Sequence, residues 1–195
     1  MTGSWTGTTE VAYVPLSDPS AFVDALAAHG PHSAHAEKLM LFGRLVGSWD
    51  IEGRNYDPNG KLVRESSGEW HFAWVLEGRV IQDVIISPPR NRRGPGDESK
   101  ACDTAIRWYD PGIDAWRVTV VAPIFGATVH LIAREQDDEI WLEGRSPDGN
   151  LLRWTFSEFS DERVRWQGFL STDEGVSWLR DEEIILRRAA PAASS

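Results

Sequence analysis

The sequence predicts an all-β protein: a ten-stranded antiparallel up-and-down β-barrel preceded by two short N-terminal helices. Three observations carry this reading. From about residue 48 to 188 apolar and polar residues alternate in short runs, the pattern of strands with one buried face. Turn-forming groups separate the runs, and in the second half they recur about every twelve residues, as consecutive hairpins require. No helical period interrupts them, so neighbours in sequence pair in space, and closing the meander removes both exposed edges.

Taken in order, residues 1–17 mix Thr, Gly and Ser with isolated apolar residues and read as a mobile arm. Ser17-Asp18-Pro19 then reads as a helix start, with Pro at the first helical position. Phe22, Val23, Leu26 and Ala27 form its apolar stripe, and Gly30 ends it. A second helix is expected over 34–44, with Leu39, Phe42 and Leu45 on one side. After Gly47 the period becomes two. The ten strands are expected near 48–56, 61–74, 79–87, 101–109, 115–123, 127–136, 139–146, 151–159, 163–171 and 177–188. The helices and strands form a single domain over 18–188, and the Ala/Pro/Ser tail 189–195 reads as disordered.

Length and composition support one self-sufficient core. At 21.8 kDa, folding buries about 70% of the surface of the extended chain. A single cysteine, Cys102, excludes an intrachain disulfide and suits a reducing cytoplasm. Cys102 itself reads as a buried structural thiol. No apolar run reaches the length of a membrane span, and no signal-peptide pattern opens the chain. The net charge of −10 repels phosphate backbones, which argues against nucleic acid. A homodimer is compatible with the sequence and not specified by it.

The ten tryptophans are the feature that points to function. Nine of them fall in predicted strands. Trp70, Phe72 and Trp74 oppose Glu69 and His71, Leu152, Trp154 and Phe156 oppose Arg153 and Thr155, and Val164 and Trp166 oppose Arg163 and Arg165. If these faces turn inward, indole rings line the lumen. Ten strands leave room for a real cavity. Trp70, Trp74, Trp108, Trp116, Trp141, Trp154 and Trp166 are therefore the candidate ligand-binding wall. The same parity carries polar residues inward. Trp141 brings Glu143 and Arg145, Trp178 brings Arg180 and Glu182, Trp108 brings Thr104, and Trp49 brings Asn55. Buried charges must pair with one another or with a ligand. Arg145 and Arg180 are thus candidate ligand-binding residues, and Glu143 and Glu182 candidate catalytic ones.

Several residue groups together resemble a known family. Gly47-Ser48-Trp49 after a short helix looks like the Gly-x-Trp entry of lipocalins and other calycins. Trp74-Val75-Leu76-Glu77-Gly78-Arg79, Tyr109-Asp110-Pro111 with Trp116-Arg117, Arg153-Trp154-Thr155-Phe156 and Ser171 to Trp178 follow in order. The set resembles the nitrobindin-like and lipocalin-like (calycin) bacterial barrels of largely unknown function, over about residues 38–188. The resemblance implies that Trp49 closes one barrel end. Nitrobindins bind haem, which would require a histidine on a late strand, yet none follows His130. No haem or other cofactor is therefore expected.

Other motifs carry less. Ser171-x-Asp173-x-Gly175-x-x-Trp178 matches the Asp-box of sialidases, a hairpin brace remote from catalysis. His29, His32 and His35 flank Gly30 and Pro31, which prevents their alignment on one helix, so no metal site is expected. Phosphate-binding loops and a nucleophile elbow are absent. Arg90 to Arg93 form a small basic patch in a long loop, 88–100, expected to be flexible. The expectation is a cytoplasmic barrel that binds a small apolar or aromatic molecule. The alternative is a cofactor-free isomerase, cyclase or hydratase that uses a desolvated glutamate with arginine.

Overall fold

The structure is a computed structural model that describes residues 19–190. The expected arm, the cap residues Ser17 and Asp18 and residues 191–195 of the tail lie outside the described residues. Two helices, α1 (Pro19–Leu26) and α2 (Ala36–Gly43), precede ten strands. These are β1 (Gly47–Tyr56), β2 (Leu62–Val75), β3 (Val80–Ser87), β4 (Ala101–Asp110) and β5 (Ala115–Ala122). They continue as β6 (Ala127–Gln136), β7 (Glu139–Arg145), β8 (Leu151–Ser157), β9 (Arg163–Ser171) and β10 (Leu179–Arg188). Each strand pairs antiparallel with the next, and β1 closes on β10, so the sheet is a ten-stranded closed barrel. Full closure leaves no sheet edge unpaired.

One end of the barrel is plugged. Leu39 and Phe42 on α2, and Leu45 just after it, are buried as their spacing requires. The Phe42 ring meets Trp116 edge-on at 4.9 Å and Phe156 at 6.2 Å. Trp49 seals the same end, with its indole N–H donating to the Leu45 carbonyl at 2.8 Å. The Arg188 guanidinium stacks on that ring at 3.6 Å and donates to the Val46 carbonyl. Gly47 has a φ of 129°, and a Cβ there would lie 2.5 Å from Arg188 Nη1. The positive φ favours glycine at the head of Gly-x-Trp, and a side chain there would also have to displace the Arg188 guanidinium from its place.

The first helix departs from its expected role. Phe22 and Val23 are 65% and 57% exposed, so its apolar stripe is not buried against the barrel. The helix stops at Leu26, four residues before Gly30, because Ala27 leaves it to form a bridge with Val75. Cys102 also differs, since it lies on the outer face of β4 and is exposed. Outward parity is imposed on it by its strand neighbours, Asp103 and Ala105, which face in.

Candidate functional site

Alternation along the strands sorts side chains between lumen and exterior. Inward residues near α2 include Trp74, Ile81, Trp116, Ile140, Phe156 and Leu186, all nearly inaccessible. That half of the barrel is packed solid. Gly43 at the end of α2 contributes, since a Cβ there would lie 2.7 Å from Trp74 Cζ2.

Halfway up sits a buried ion pair. Asp83 on β3 and Arg107 on β4 are 2% and 3% exposed, and Arg107 Nη1 donates directly to Asp83 Oδ2. The Ala105 amide donates to Asp83 Oδ1 at 2.9 Å. Arg107 also lies 5.4 Å from the Phe42 ring and 5.5 Å from that of Phe72. Burial raises the Asp83 pKa, against the pull of Arg107 and the Ala105 amide. The Trp70 indole N–H leans toward Asp83 and helps hold its charge, yet it makes no hydrogen bond of normal geometry.

Above this pair the packing changes. Ile85, Val120, Val129, Trp154 and Leu170 have inward parity but remain half-buried. In a closed barrel plugged at one end, solvent reaches inward side chains only through the other end. These residues therefore line the lumen toward the mouth framed by the β1–β2, β3–β4, β5–β6, β7–β8 and β9–β10 connections, and this half of the barrel is the cup. Its floor is aromatic. Trp166 lies 5.6 Å from Trp154 and 6.5 Å from Trp70, both tilted toward edge-to-face. Gly168, inward on β9, leaves space there; a Cβ would stand 3.1 Å from Trp166 Cη2 and 3.0 Å from Asp181 Oδ1.

The polar side of the cup comes from β1, β4 and β10. Glu182 pairs with Asn55 across the β1–β10 seam, and the Asn55 side chain favours its charged form. A bulge between Arg180 and Glu182 leaves Asp181, an exposed residue, with its carboxylate beside Gly168. Asp103 faces in from β4, with its Oδ1 buried and without a hydrogen-bond partner among the described residues, while the Cys102 backbone favours its charged form. Desolvation is the main cause that raises the pKa of Glu182, Asp181 and Asp103 alike. Glu182 also feels the negative charges of Asp181 and Asp103, opposed by Arg64.

The structure redistributes the residues singled out from sequence. Trp70, Trp154 and Trp166 form the cup floor, together with the inward Glu182. Trp74 and Trp116 are inward but locked in the plugged half. Trp108 and Thr104 face outward, because β4 turns Ala105, Arg107 and Tyr109 inward to satisfy Asp83. Trp141, Glu143 and Arg145 also face outward, since β7 buries Ile140 and Leu142 instead. Outside, Arg153 lies between Trp141 and Trp178, at 4.5 and 4.2 Å from their rings, and pairs with Glu143. Arg145 binds Glu174 on the surface. Arg180 is turned outward by the bulge, stacks on Tyr56 at 4.4 Å and faces Glu183. Of the expected inward set Glu143, Arg145, Arg180 and Glu182, only Glu182 faces the lumen. Sequence reasoning missed Asp103 and Asp181. The signal for Asp103 was its alternation with Arg107, read against an apolar template; Asp181 had none.

Other motifs settle into structural roles. Ser171 donates to Asp173 at 2.8 Å, and Asp173 accepts from the Ser177 amide and hydroxyl at 2.9 and 2.6 Å. These bonds hold the Asp173 pKa down at about 2, as a hairpin brace implies. His32 bonds Arg79, and His35 packs on Tyr109. His130 bonds Thr119 on the outer surface. Arg90, in the loop after β3, grips Glu69 through its backbone amide and its guanidinium. Beside α2 at the plugged rim, Met40, Arg44, Tyr109 and Trp116 border a separate cavity of about 440 Å³. Among the described residues, no helix is long and apolar enough to cross a membrane.

No protein-family profile matches the chain, and no curated protein matches it in sequence. Solved structures do. The S-type phycobiliprotein lyase CPES from Guillardia theta is 12% identical with a TM-score of 0.52, over 78% of this chain and 93% of that one. A redesigned β-barrel, mFAP0, bound to DFHBI is 13% identical with a TM-score of 0.39, over 74% of this chain and 99% of that one. A protein of unknown function from the DUF3598 family of Nostoc punctiforme is 7% identical with a TM-score of 0.26, over 78% and 99%. The likeness to the lyase is one of fold, a calycin-like barrel.

Proposed function

We propose that this calycin-like barrel binds a small, mainly apolar or aromatic molecule in the open half of its lumen. The observation that carries the reading is the set of inward yet half-buried apolar side chains above a floor of Trp70, Trp154 and Trp166. Aromatic-lined concavities in barrel mouths are where such ligands are usually held. Burying about 200 Å² of apolar ligand surface contributes on the order of 5 kcal/mol before entropic costs. The plugged half acts as a rigid base, so binding there needs little rearrangement.

A second reading keeps the cup but adds chemistry. Glu182 and Asp103 are desolvated carboxyls with raised pKa values at the edge of an apolar site, the environment that prepares a carboxyl for proton transfer. Cofactor-free isomerisation, cyclisation or hydration would use them as acid and base.

Titration with N-phenyl-1-naphthylamine, followed by tryptophan quenching, tests the first reading. Saturable quenching is expected, weakened about tenfold by Trp154→Ala and unaffected by Trp141→Phe on the outer face. Quenching that ignores Trp154→Ala, or that never saturates, contradicts a lumenal site. Turnover lost in Glu182→Gln with binding retained would mark the enzyme.

A further inference from the structure

We infer that the mouth of the barrel docks on the anionic surface of a lipid bilayer, with one sector of its rim as the contact. For its purpose the inference rests on the lumenal reading above: docking in this way turns the open end of the cup toward the phase that dissolves a mainly apolar guest.

Charge is spread unevenly over this acidic chain. The connections at the plugged end, β2–β3, β4–β5, β6–β7 and β8–β9, carry seven carboxylates and one cation, Arg79. At the mouth, the adjacent β1–β2, β3–β4 and β5–β6 connections carry five cations against three carboxylates. Arg90 is spent on Glu69. Lys61, Arg92 and Lys100, by contrast, are exposed and make no ion pair among the described residues.

The same sector exposes apolar side chains. Val63 at the start of β2 is 60% exposed, and Ile124 and Phe125 between β5 and β6 are 49% and 61% exposed. The β5–β6 connection, Pro123 to Gly126, has no charged residue. It is a single 3-10 turn, closed by Gly126 at a φ of 61° with its amide donating to the Pro123 carbonyl at 3.2 Å. Proline and a hydrogen-bonded glycine fix this tip, so presenting Ile124 and Phe125 costs little ordering on contact.

Around the mouth the basic β3–β4 connection lies between β1–β2 and β5–β6, so apolar tips flank the cations on both sides. Exposed apolar side chains mark a contact surface, and cations among them select a partner with negative charge over an apolar interior. A bilayer offers both, with headgroups facing Arg92 and Lys100 while Phe125 enters the interfacial layer. The net charge of −10 does not defeat this, because most of the excess is distant. Strands β1 and β4 have ten residues each. Such a strand spans about 33 Å, or about 25 Å along the axis of a tilted barrel. The plugged-end carboxylates thus stand about three Debye lengths, each of about 8 Å, from a surface that the rim touches.

Flotation of the full chain with vesicles of phosphatidylcholine, alone or mixed with phosphatidylglycerol, tests the docking. Binding to the mixed vesicles is expected at low salt, with little to phosphatidylcholine alone, and it should fade as salt rises. Arg92→Glu and Phe125→Ser should each weaken it about tenfold. Arg79→Glu, the same charge reversal at the plugged end, should leave it within about twofold. All three variants should keep the quenching by N-phenyl-1-naphthylamine measured without vesicles. No binding to mixed vesicles, equal binding to neutral ones, or an equal loss in Arg79→Glu overturns the docking and leaves the lumenal reading intact. Binding of a short DNA duplex that matches the mixed vesicles and ignores Phe125→Ser also overturns it, since the rim would then be a polyanion patch. Vesicle binding by a protein whose quenching never saturates removes the lumenal reading, and with it the purpose, while the docking surface stands.

Discussion

Single residues show how this barrel manages charge. The Asp83–Arg107 pair is buried deep in the lumen, where desolvation offsets much of the attraction. Removing one partner leaves the other unpaired, so Arg107→Met should destabilise the fold by about 3–5 kcal/mol. Replacing both with apolar residues, as in D83L/R107M, should recover most of that loss in chemical denaturation. The Glu69 carboxyl behaves in the opposite way. Hydrogen bonds from Arg90, ahead of that from His71, hold its pKa down at about 2 despite partial burial. Because the unfolded carboxyl titrates near about 4.3, the unfolded chain binds more protons between these values. The stabilisation is thus fully present above about pH 5 and fades as pH falls toward 2. The melting temperature of Glu69→Gln should lie below that of the unaltered protein at pH 7, and the gap should close on acidification. A gap of constant size would contradict this assignment.

At the scale of elements, strand register decides what enters the lumen. The β10 bulge is the clearest case, since Leu179 pairs with Leu170, Arg180 with Phe169 and Glu182 with Gly168, leaving Asp181 without an opposite. Deleting Asp181 should therefore keep the barrel, with Glu182 still inward and Arg180 still outward. A melting temperature within about 2–4 °C of the parent corresponds to a change of about 1 kcal/mol, and a collapse of the β-sheet circular dichroism would refute the bulge's dispensability. Much of this level was legible in the sequence. Strand positions, hairpin order and the α2 stripe follow from period and turn chemistry. What could not be read was the parity of mixed strands. On β7 both faces contain large apolar residues, and Ile140 and Leu142 win the interior because Trp141 finds an outer partner in Arg153. On β4 the inner face carries Asp103 and Arg107, so hydrophobicity points the wrong way. A one-residue bulge inverts parity without altering composition. The α1 stripe looked equally apolar on paper, but nothing in the barrel covers it.

For the whole molecule, the central feature is asymmetry along the barrel axis. α2, Trp49 and Arg188 close one end over a dense core, while the other opens on aromatic and acidic walls. The abundance of tryptophan announced an aromatic interior but not this division of labour, which depends on where α2 docks. Rings packed against α2 stabilise; beyond the Asp83–Arg107 pair Trp154 stays partly accessible, while Trp70 and Trp166 are buried beneath it. A competing location exists in the 440 Å³ cavity bordered by Met40, Arg44 and Trp116, so the place of binding must be measured rather than its mere occurrence. Methyl-resolved nuclear magnetic resonance of the protein titrated with 1-naphthalenemethanol does this directly, because the ring current of the guest shifts nearby methyls. The account predicts saturable shifts at Val120, Val129, Leu152 and Leu170, with Met40, Ile140 and Leu186 unmoved. Shifts centred on Met40 and the Ala133 methyl, with the mouth residues silent, would contradict it.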